Sequence, residues 1–494
     1  MTKATTPSFI TEIPIATDSH TQSILKKRFW AAKQQYNALL SEALTRLYSM
    51  RADPAYKEAL SLYKEKGKKT EAQALFKQLA EKHSYREYDL YGYTKQWNKR
   101  QSPLSIGARI SQKLAKRAFQ AVDEYRQKKR GKPRYKGYRG INSIEDNSID
   151  ANLRLKYHII HYLGLKLPLL YNLQDPIHYH GLESPIKYIR LVKRNFNGRT
   201  RYFAQLTCAG KPWIKNQNIA GQTTVGLDIG PQTIAIVAPE KKEAHLKIFA
   251  DELKSLKKAQ KALQRKVARQ LRGNNPDAFE QDRWLKKDKN WQRKRGKSIK
   301  GKRLHQRSQA LKRTINKLAD TARRQAAYRK TQHGKLVNDI LRIGSTIKTE
   351  KLSYKSFQKL YGASVGLRAP GMFIEILKRK AGNAGGRVEE INTWRTKLSQ
   401  TCHCGRQEKK ALSQRWHHCP CGVEAQRDLY SAYLASFVEK STLIADRAQK
   451  AWLGMDIALR TAIEDIKHAS SGHHQPASLG LRKSGSERVV CTVS

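Results

Sequence analysis

Acidic residues are scarce in this chain, and three of them stand where chemistry can be done. Across 494 residues, 41 Asp and Glu face 97 Lys and Arg, a formal net charge of +56. In TTVGLDIGPQTIAIVAPE, Val225, Leu227 and Ile229 alternate, which predicts a strand with Asp228 on the opposite face. Gly230-Pro231 reads as a turn into a second apolar strand, 234–237. An acid in a buried strand beside a tight hairpin needs something cationic to meet it, either a Lys or Arg side chain or a metal ion. Glu350 closes a short strand, STIKTEKL, after an amphipathic helix carrying Leu336, Val337, Ile340 and Leu341. Asp428 opens the helix AQRDLYSAYLASFVEK, whose Leu429, Ala432, Tyr433 and Phe437 can pack inward. A carboxylate in a first helical turn is favoured by the helix dipole and stays ionised.

Carboxylates from two strands and a helix, converging on one sheet edge, match the needs of a divalent-metal nuclease. Mg²⁺ takes hard oxygen ligands, and two such ions about 3.5–4 Å apart can activate water and stabilise a leaving 3′-oxygen. Four of the six cysteines form a second cluster: Cys402-His-Cys404 and Cys419-Pro-Cys421, with 14 residues between the pairs. They read as a four-thiolate structural zinc knuckle, each pair running into a glycine that suits a tight turn. Each pair encloses one residue where ribbons usually have two, and His403, His417 or His418 can replace a thiolate. Cys208 and Cys491 read as isolated thiols.

The elements that must position these groups are legible in outline. GMFIEILKRKAGNAGG predicts a helix ending in glycines, and RVEEINTW the next strand, so the C-terminal half reads as a sheet with helical crossovers. Between the first two carboxylates, residues 254–330 carry 27 Lys and Arg against 5 Asp and Glu. Leu256, Leu263, Val267, Leu271, Leu311, Ile315, Leu318 and Ala322 keep helical spacing there. This predicts two long basic helices joined by a looser stretch holding Trp284 and Trp291. The excess is nearly all of one sign, so i,i+4 pairing cannot account for it and phosphate contact can. Arg265, Lys266, Arg269, Arg293, Arg295, Arg303 and Arg313 are the candidate contacts.

Upstream, 19–130 reads as mainly helical, with a first helix over about 22–50 and a last over about 106–129. Tyr85, Tyr88, Tyr91, Tyr93 and Trp97, mixed with Arg86, Lys95 and Arg100, form either a small helical core or a base-stacking patch. GKPRYKG is a basic turn, and 186–210 carries a hairpin signature around Asn197-Gly198. A further amphipathic helix is expected over 441–468, then a disordered Ser-, Gly- and His-rich tail.

A net charge of +56 is costly to hold compact without a polyanion, and nucleic acid is the simplest one. No apolar run reaches about 18 residues: 157–173 is broken by His158, His161, Lys166 and Pro168. The N-terminal stretch lacks the apolar core of a signal peptide. These features point to a soluble, intracellular nucleic-acid-binding protein with no membrane partner.

The motif set as a whole resembles the TnpB-like, transposon-encoded RNA-guided nucleases and their compact type V CRISPR effector relatives. GLDIG, IKTEKL and CGVEAQRDLYSAYLA match the three RuvC motifs, carrying Asp228, Glu350 and Asp428 in order. APGMFIEILKRKAGNAGGRVEEINTWRTKLSQTCHCG resembles the stretch leading into the family's zinc ribbon. The match covers about 225–437, with weaker echoes at GKPRYKG and 186–210. Leu-Tyr-Ser-Ala stands where the third motif more often has an Asn-Ala-Ala run.

The resemblance implies a multidomain α+β and α/β chain. A wedge β-barrel (1–18 and 131–221) would hold a helical recognition insert (19–130). An RNase H-like RuvC domain (222–400 and 425–440, with a basic helical insert 251–335) would be interrupted by a zinc ribbon (401–424), followed by a C-terminal helix and tail (441–494). It implies guide RNA and target double-stranded DNA as partners, two Mg²⁺ at the carboxylates, structural Zn²⁺, and a prokaryotic cytoplasmic, nucleoid-associated location. A guide-directed binder that does not cut, and an RNase H-fold transposase acting without RNA, are the alternatives.

Overall fold

The computed structural model describes residues 7–100, 105–137, 140–146, 151–250, 253–287, 290–302, 306–411, 413–469 and 479–480. Arg303, Cys491 and nearly all of the expected tail lie outside the described residues. The chain divides into two compact units, Met1–Trp213 and Ile214–Ser494. No helix among the described residues is long and apolar enough to cross a membrane.

In the first unit, the alternating residues of 186–210 form the hairpin Ile186–Phe196 and Arg199–Ala209. Asn197 (φ 50°) and Gly198 (φ 93°) both take left-handed backbone at its tip, the conformation that a two-residue turn of matching twist requires. Strand Ser8–Pro14 pairs with one edge and Ser143–Glu145 with the other, giving a four-stranded antiparallel sheet. A separate three-stranded sheet, Leu153–Lys156, Ile159–Tyr162 and Leu165–Pro168, lies nearby in sequence. The two sheets do not close into a barrel among the described residues.

The 34-residue helix Ser19–Ala52 starts where Asp18 accepts a hydrogen bond from the Thr21 amide. Its Leu25, Phe29, Tyr36, Leu40 and Leu47 share a core with Ile110, Leu114 and Ala118 of the helix Ala108–Arg126. The tyrosine patch divides: Tyr85 is buried beside Phe119, whereas Tyr88 is 77% exposed. The core reading therefore holds for Tyr85 and not for Tyr88.

The second unit is built on a five-stranded mixed sheet in the order Glu243–Ile248, Thr233–Ala238, Thr223–Ile229, Gly344–Glu350, Arg387–Ile391. The first three strands are antiparallel neighbours, and the last two run parallel to Thr223–Ile229. One face packs Val225, Leu227, Ile229 and Ile347 against Val337, Ile340, Phe373 and Leu377. The other face packs Ala235 and Val237 against Leu429, Ala432 and Tyr433.

Three expectations need correction. The amphipathic segment 336–341 is not a separate helix: one helix runs Gln309–Ile343, straight through the expected end of the basic insert at 335. The Asp428 helix stops at Ser436, and Val438–Glu439 pairs with Thr442–Leu443. The expected helix 441–468 is two, Ala445–Lys450 and Met455–Ala469, divided at Gly454, whose φ of 85° breaks helical geometry. The looser stretch between the basic helices holds a hairpin, Arg283–Lys287 and Asn290–Lys294.

Candidate metal centres and basic surface

The strand register brings two of the acids side by side. Lys348 stands beside Gly226 and Thr349 beside Leu227, so one residue on, Glu350 reaches the level of Asp228. Residues level on adjacent strands project to the same side, so both carboxylates share a face with Lys348 and Gly226. The Lys348 ammonium donates to the carbonyls of Ser436 (3.1 Å) and Val438 (2.8 Å), at the C-terminal end of the Asp428 helix. That face is therefore the one the helix Arg427–Ser436 covers, with Asp428 in its first turn.

The three carboxylates feel one another. Burial holds the Asp228 carboxyl well above the ordinary carboxylate range, and the charges of Asp428 and Glu350 push it further the same way. Burial also raises Glu350, to about 7. Two guanidiniums act in opposition: Arg427 Nε lies 3.5 Å and Arg415 Nη1 3.9 Å from Asp428 Oδ1. Both distances are long for ion pairs, and both cations lower the Asp228 carboxyl without cancelling the rise. A cluster of hard oxygen donors that stays short of positive charge fits Mg²⁺. Sequence reading missed Arg415 and Arg427. The adjacency of Arg427 to Asp428 was a usable signal, whereas Arg415 arrives only through the fold.

The four cysteine sulfurs all lie within 4.8 Å of one another. Cys402 Sγ is 3.5 Å from Cys421 Sγ, and Cys404 Sγ is 3.6 Å from Cys419 Sγ. Two matching turns explain how pairs with one intervening residue achieve this. The Cys402 amide donates to Arg406 O and the Gly405 amide to Cys402 O; Cys419, Val423 and Gly422 repeat the pattern. Gly405 (φ 89°) and Gly422 (φ 93°) supply the backbone that each turn demands. Burial pushes the Cys402 thiol up to about 12, while at Cys404 the Arg406 amide and the neighbouring thiols outweigh burial and bring it down to about 7. Thiols this crowded are stabilised by a soft cation that takes them as thiolates, and four sulfurs match tetrahedral Zn²⁺.

The histidines serve elsewhere. His403 Nδ1 lies 3.0 Å from the Tyr430 hydroxyl, and His417 is buried with its ring 4.5 Å from that of Tyr430. His418 lies 3.6 Å from Glu424. The Tyr430 hydroxyl also accepts from the His403 amide at 3.1 Å and lies 3.4 Å from Cys402 Sγ, tying the thiol cluster to the helix that carries Asp428.

The basic candidates are distributed over three elements of the same unit. Arg265, Lys266 and Arg269 are exposed on the helix Leu253–Asn274, Arg293 and Arg295 on and just after the hairpin, and Arg313 near the start of the helix Gln309–Ile343. Among the described residues, Arg293 alone of these six forms an ion pair, with Asp282 at 2.8 Å.

Residues 371–434 match the family model described as Cas12f1-like, TNB domain. This span runs from the helix Pro370–Asn383 through the thiol cluster to the Asp428 helix. Over this span, the likeness to TnpB-like compact type V effectors that the motifs implied is shown. One similar solved structure, a cryo-EM structure of the Cas12f1–sgRNA–target DNA complex, is 12% identical over 86% of this chain and 98% of that one, with a TM-score of 0.44. Another, a CRISPR–Cas12f ternary complex, is 11% identical over 85% of this chain and 82% of that one, with a TM-score of 0.31. No curated protein matches the chain.

Proposed function

We propose that this chain is an RNA-guided DNA endonuclease. It binds a guide RNA, recognises a short flanking motif, and hydrolyses the phosphodiester backbone of paired target DNA at a single RuvC-type site formed by Asp228, Glu350 and Asp428. The observation that carries this reading is the meeting of the three carboxylates on one covered sheet face in a chain of net charge +56. The match of 371–434 to a Cas12f1-like domain supports it.

In this reading, Asp228 and Glu350 are held by adjacent strands and Asp428 by a helix turn, so the donor set is in place before substrate arrives. These three side chains would hold Mg²⁺, which would supply charge neutralisation and water activation for phosphodiester hydrolysis. Arg415 and Arg427 orient Asp428. The exposed cations of the two long helices and the hairpin hold nucleic-acid backbone, leaving sequence discrimination to base pairing with the guide. Cys402, Cys404, Cys419 and Cys421 hold Zn²⁺ as a structural ion. The segments 1–18 and 131–221 serve as the wedge, 19–130 as the recognition domain, 222–400 and 425–440 as the nuclease domain and 401–424 as the zinc ribbon.

The test uses the complex with RNA recovered from native cells and a target library with randomised flanks. The wild type should cut in the presence of Mg²⁺. Asp228→Ala should bind guide and target normally while cleavage falls by at least about 10²–10³-fold. A wild type that binds but never cuts would leave a guide-directed binder. Purification free of RNA, with DNA joining, would favour the transposase reading.

A further inference from the structure

Trp284 and Trp291 are 60% and 65% exposed, a high exposure for two indoles seven residues apart in the most basic stretch of the chain. The hairpin register explains how they relate. Trp284 stands opposite Arg293 and Lys286 opposite Trp291. Opposed residues share a face, and so do residues two apart, so Trp284, Lys286, Trp291 and Arg293 all project from one side of the ribbon. Cβ atoms of such a diagonal pair lie about 7 Å apart, near twice the roughly 3.4 Å separation of stacked bases. Among the described residues, neither indole packs against another ring.

The hairpin is anchored rather than loose at its base. Asp282 accepts from Arg293 Nε (2.8 Å) and from the Gly296 amide (2.8 Å), and it also meets Arg272 at 3.4 Å. Arg272 in turn lies over the Phe279 ring at 4.4 Å. A ribbon fixed at one end therefore presents an aromatic and cationic face to solvent.

We propose that this face is a stacking platform for the unpaired bases of single-stranded nucleic acid, with Lys286 and Arg293 meeting the backbone alongside. The charge selects the occupant. Six Lys and Arg against one Asp over 283–294 oppose a second copy of a +56 chain. Lysine is also depleted at protein-docking surfaces, whereas indoles interleaved with cations are the pattern that binds single strands. The proposal rests on the nucleic-acid-binding part of the function above and is independent of cleavage.

Binding of an unstructured oligonucleotide, in DNA and in RNA form, is measured by fluorescence anisotropy with the full-length chain. Comparison probes are a blunt duplex and a strand of the same length with abasic sites. Trp284→Ala and Trp291→Ala should each weaken binding of the strand by at least about five-fold. Trp→Phe at either position should recover most of that loss. Duplex and abasic binding should not change, nor should the slope of log affinity against log salt, because no cation is removed. Full affinity of both Ala variants for both strands overturns the platform and leaves the proposed function standing. An equal loss on the abasic strand also overturns it, by showing that the indoles do not contact bases. Ala variants that lose self-association in sedimentation at unchanged strand affinity assign the face to a second copy and overturn the proposal. A wild type that binds no nucleic acid overturns both readings.

Discussion

A β-carbon placed on Gly226 would lie 1.8 Å from the carbonyl oxygen of Ala432. This single approach explains why two distant acids meet. Asp228 is two residues beyond Gly226 and projects to the same side of the strand, while Asp428 is one helical turn before Ala432. Seating the helix backbone directly on the strand at Gly226 therefore brings Asp428 over the sheet beside Asp228.

Gly226→Ala should consequently act on both stability and site geometry. The obstruction is a backbone carbonyl, which cannot rotate away, so the helix must lift. We expect destabilisation of about 3 kcal/mol, the upper end for overpacking. Loss of Mg²⁺-dependent cleavage should accompany it. Gly366→Ala is the control: beyond its chain neighbours and its own helix backbone nothing lies within 4 Å of its β-carbon, and it sits inside the helix Tyr354–Arg368. There alanine should be neutral or stabilise by about 0.5–1 kcal/mol. Thermal melting of both variants checks the pair, and equal behaviour would sink the argument.

Glu350 sets a pH dependence. Its carboxyl is raised by burial from 4.5 to about 7, so between these values the folded chain binds the proton more tightly than the unfolded chain. Stability from this group is therefore present at low pH and lost as pH rises through about 7. Mg²⁺ competes with that proton, so the rise in melting temperature on adding Mg²⁺ should grow up to about pH 7 and then level off. Asp228→Asn should weaken the Mg²⁺ response at every pH. A Mg²⁺ response that is flat from pH 5 to 8 would rule out Glu350 as a ligand.

Zinc removal separates the two candidate metal centres. Purified protein should carry one Zn²⁺ per chain, and Cys402→Ser or Cys419→Ser should lose it. Because Tyr430 links the thiol cluster to the Asp428 helix, zinc loss should lower both melting temperature and cleavage rate, and added Mg²⁺ should not restore either. Tyr430→Phe keeps all four sulfurs, so it should retain zinc while giving up the hydroxyl's bonds, at about 1–2 kcal/mol in stability. Metal analysis showing the Cys→Ser variants still fully loaded with zinc would refute the four-thiolate assignment.

How much of this could be read from residues alone depended on the range of the interaction. Period-two alternation around Asp228 is local, so its strand, its face and the following turn were legible. The same holds for the Asn197-Gly198 hairpin, where backbone preference decides the turn. Helix continuity was harder: the change from basic to apolar residues suggests a break, yet packing of Val337 and Ile340 against the sheet carries one helix through. Arg415, the Lys348 bridge to Ser436 and the shared face of the two indoles depend on tertiary position or strand register. No local pattern encodes them. The thiol cluster lies between these cases, since its spacing pointed to a candidate metal site while its paired glycine turns emerged only in three dimensions.

His333 supplies a test of the core beneath the sheet that involves neither metal centre. It is 1% exposed, stacked on Phe249 at a centroid distance of 4.8 Å, with the edge-on ring of Phe373 at 5.7 Å. Burial, helped by the nearby Arg329 charge, pulls the imidazole down from 6.5 to about 4. Between these values the unfolded chain binds the extra proton, so stability falls as pH drops from 6.5 towards 4. The slope should approach about 1.4 kcal/mol per pH unit, with a ceiling of about 3 kcal/mol. His333→Leu keeps an apolar side chain of similar size between the two phenylalanines and cannot take up a proton. Urea midpoints should therefore show the variant near wild type above pH 6.5 and clearly more stable than wild type at pH 5. If both lose stability in parallel over that interval, the acid sensitivity resides in other groups and not in this histidine.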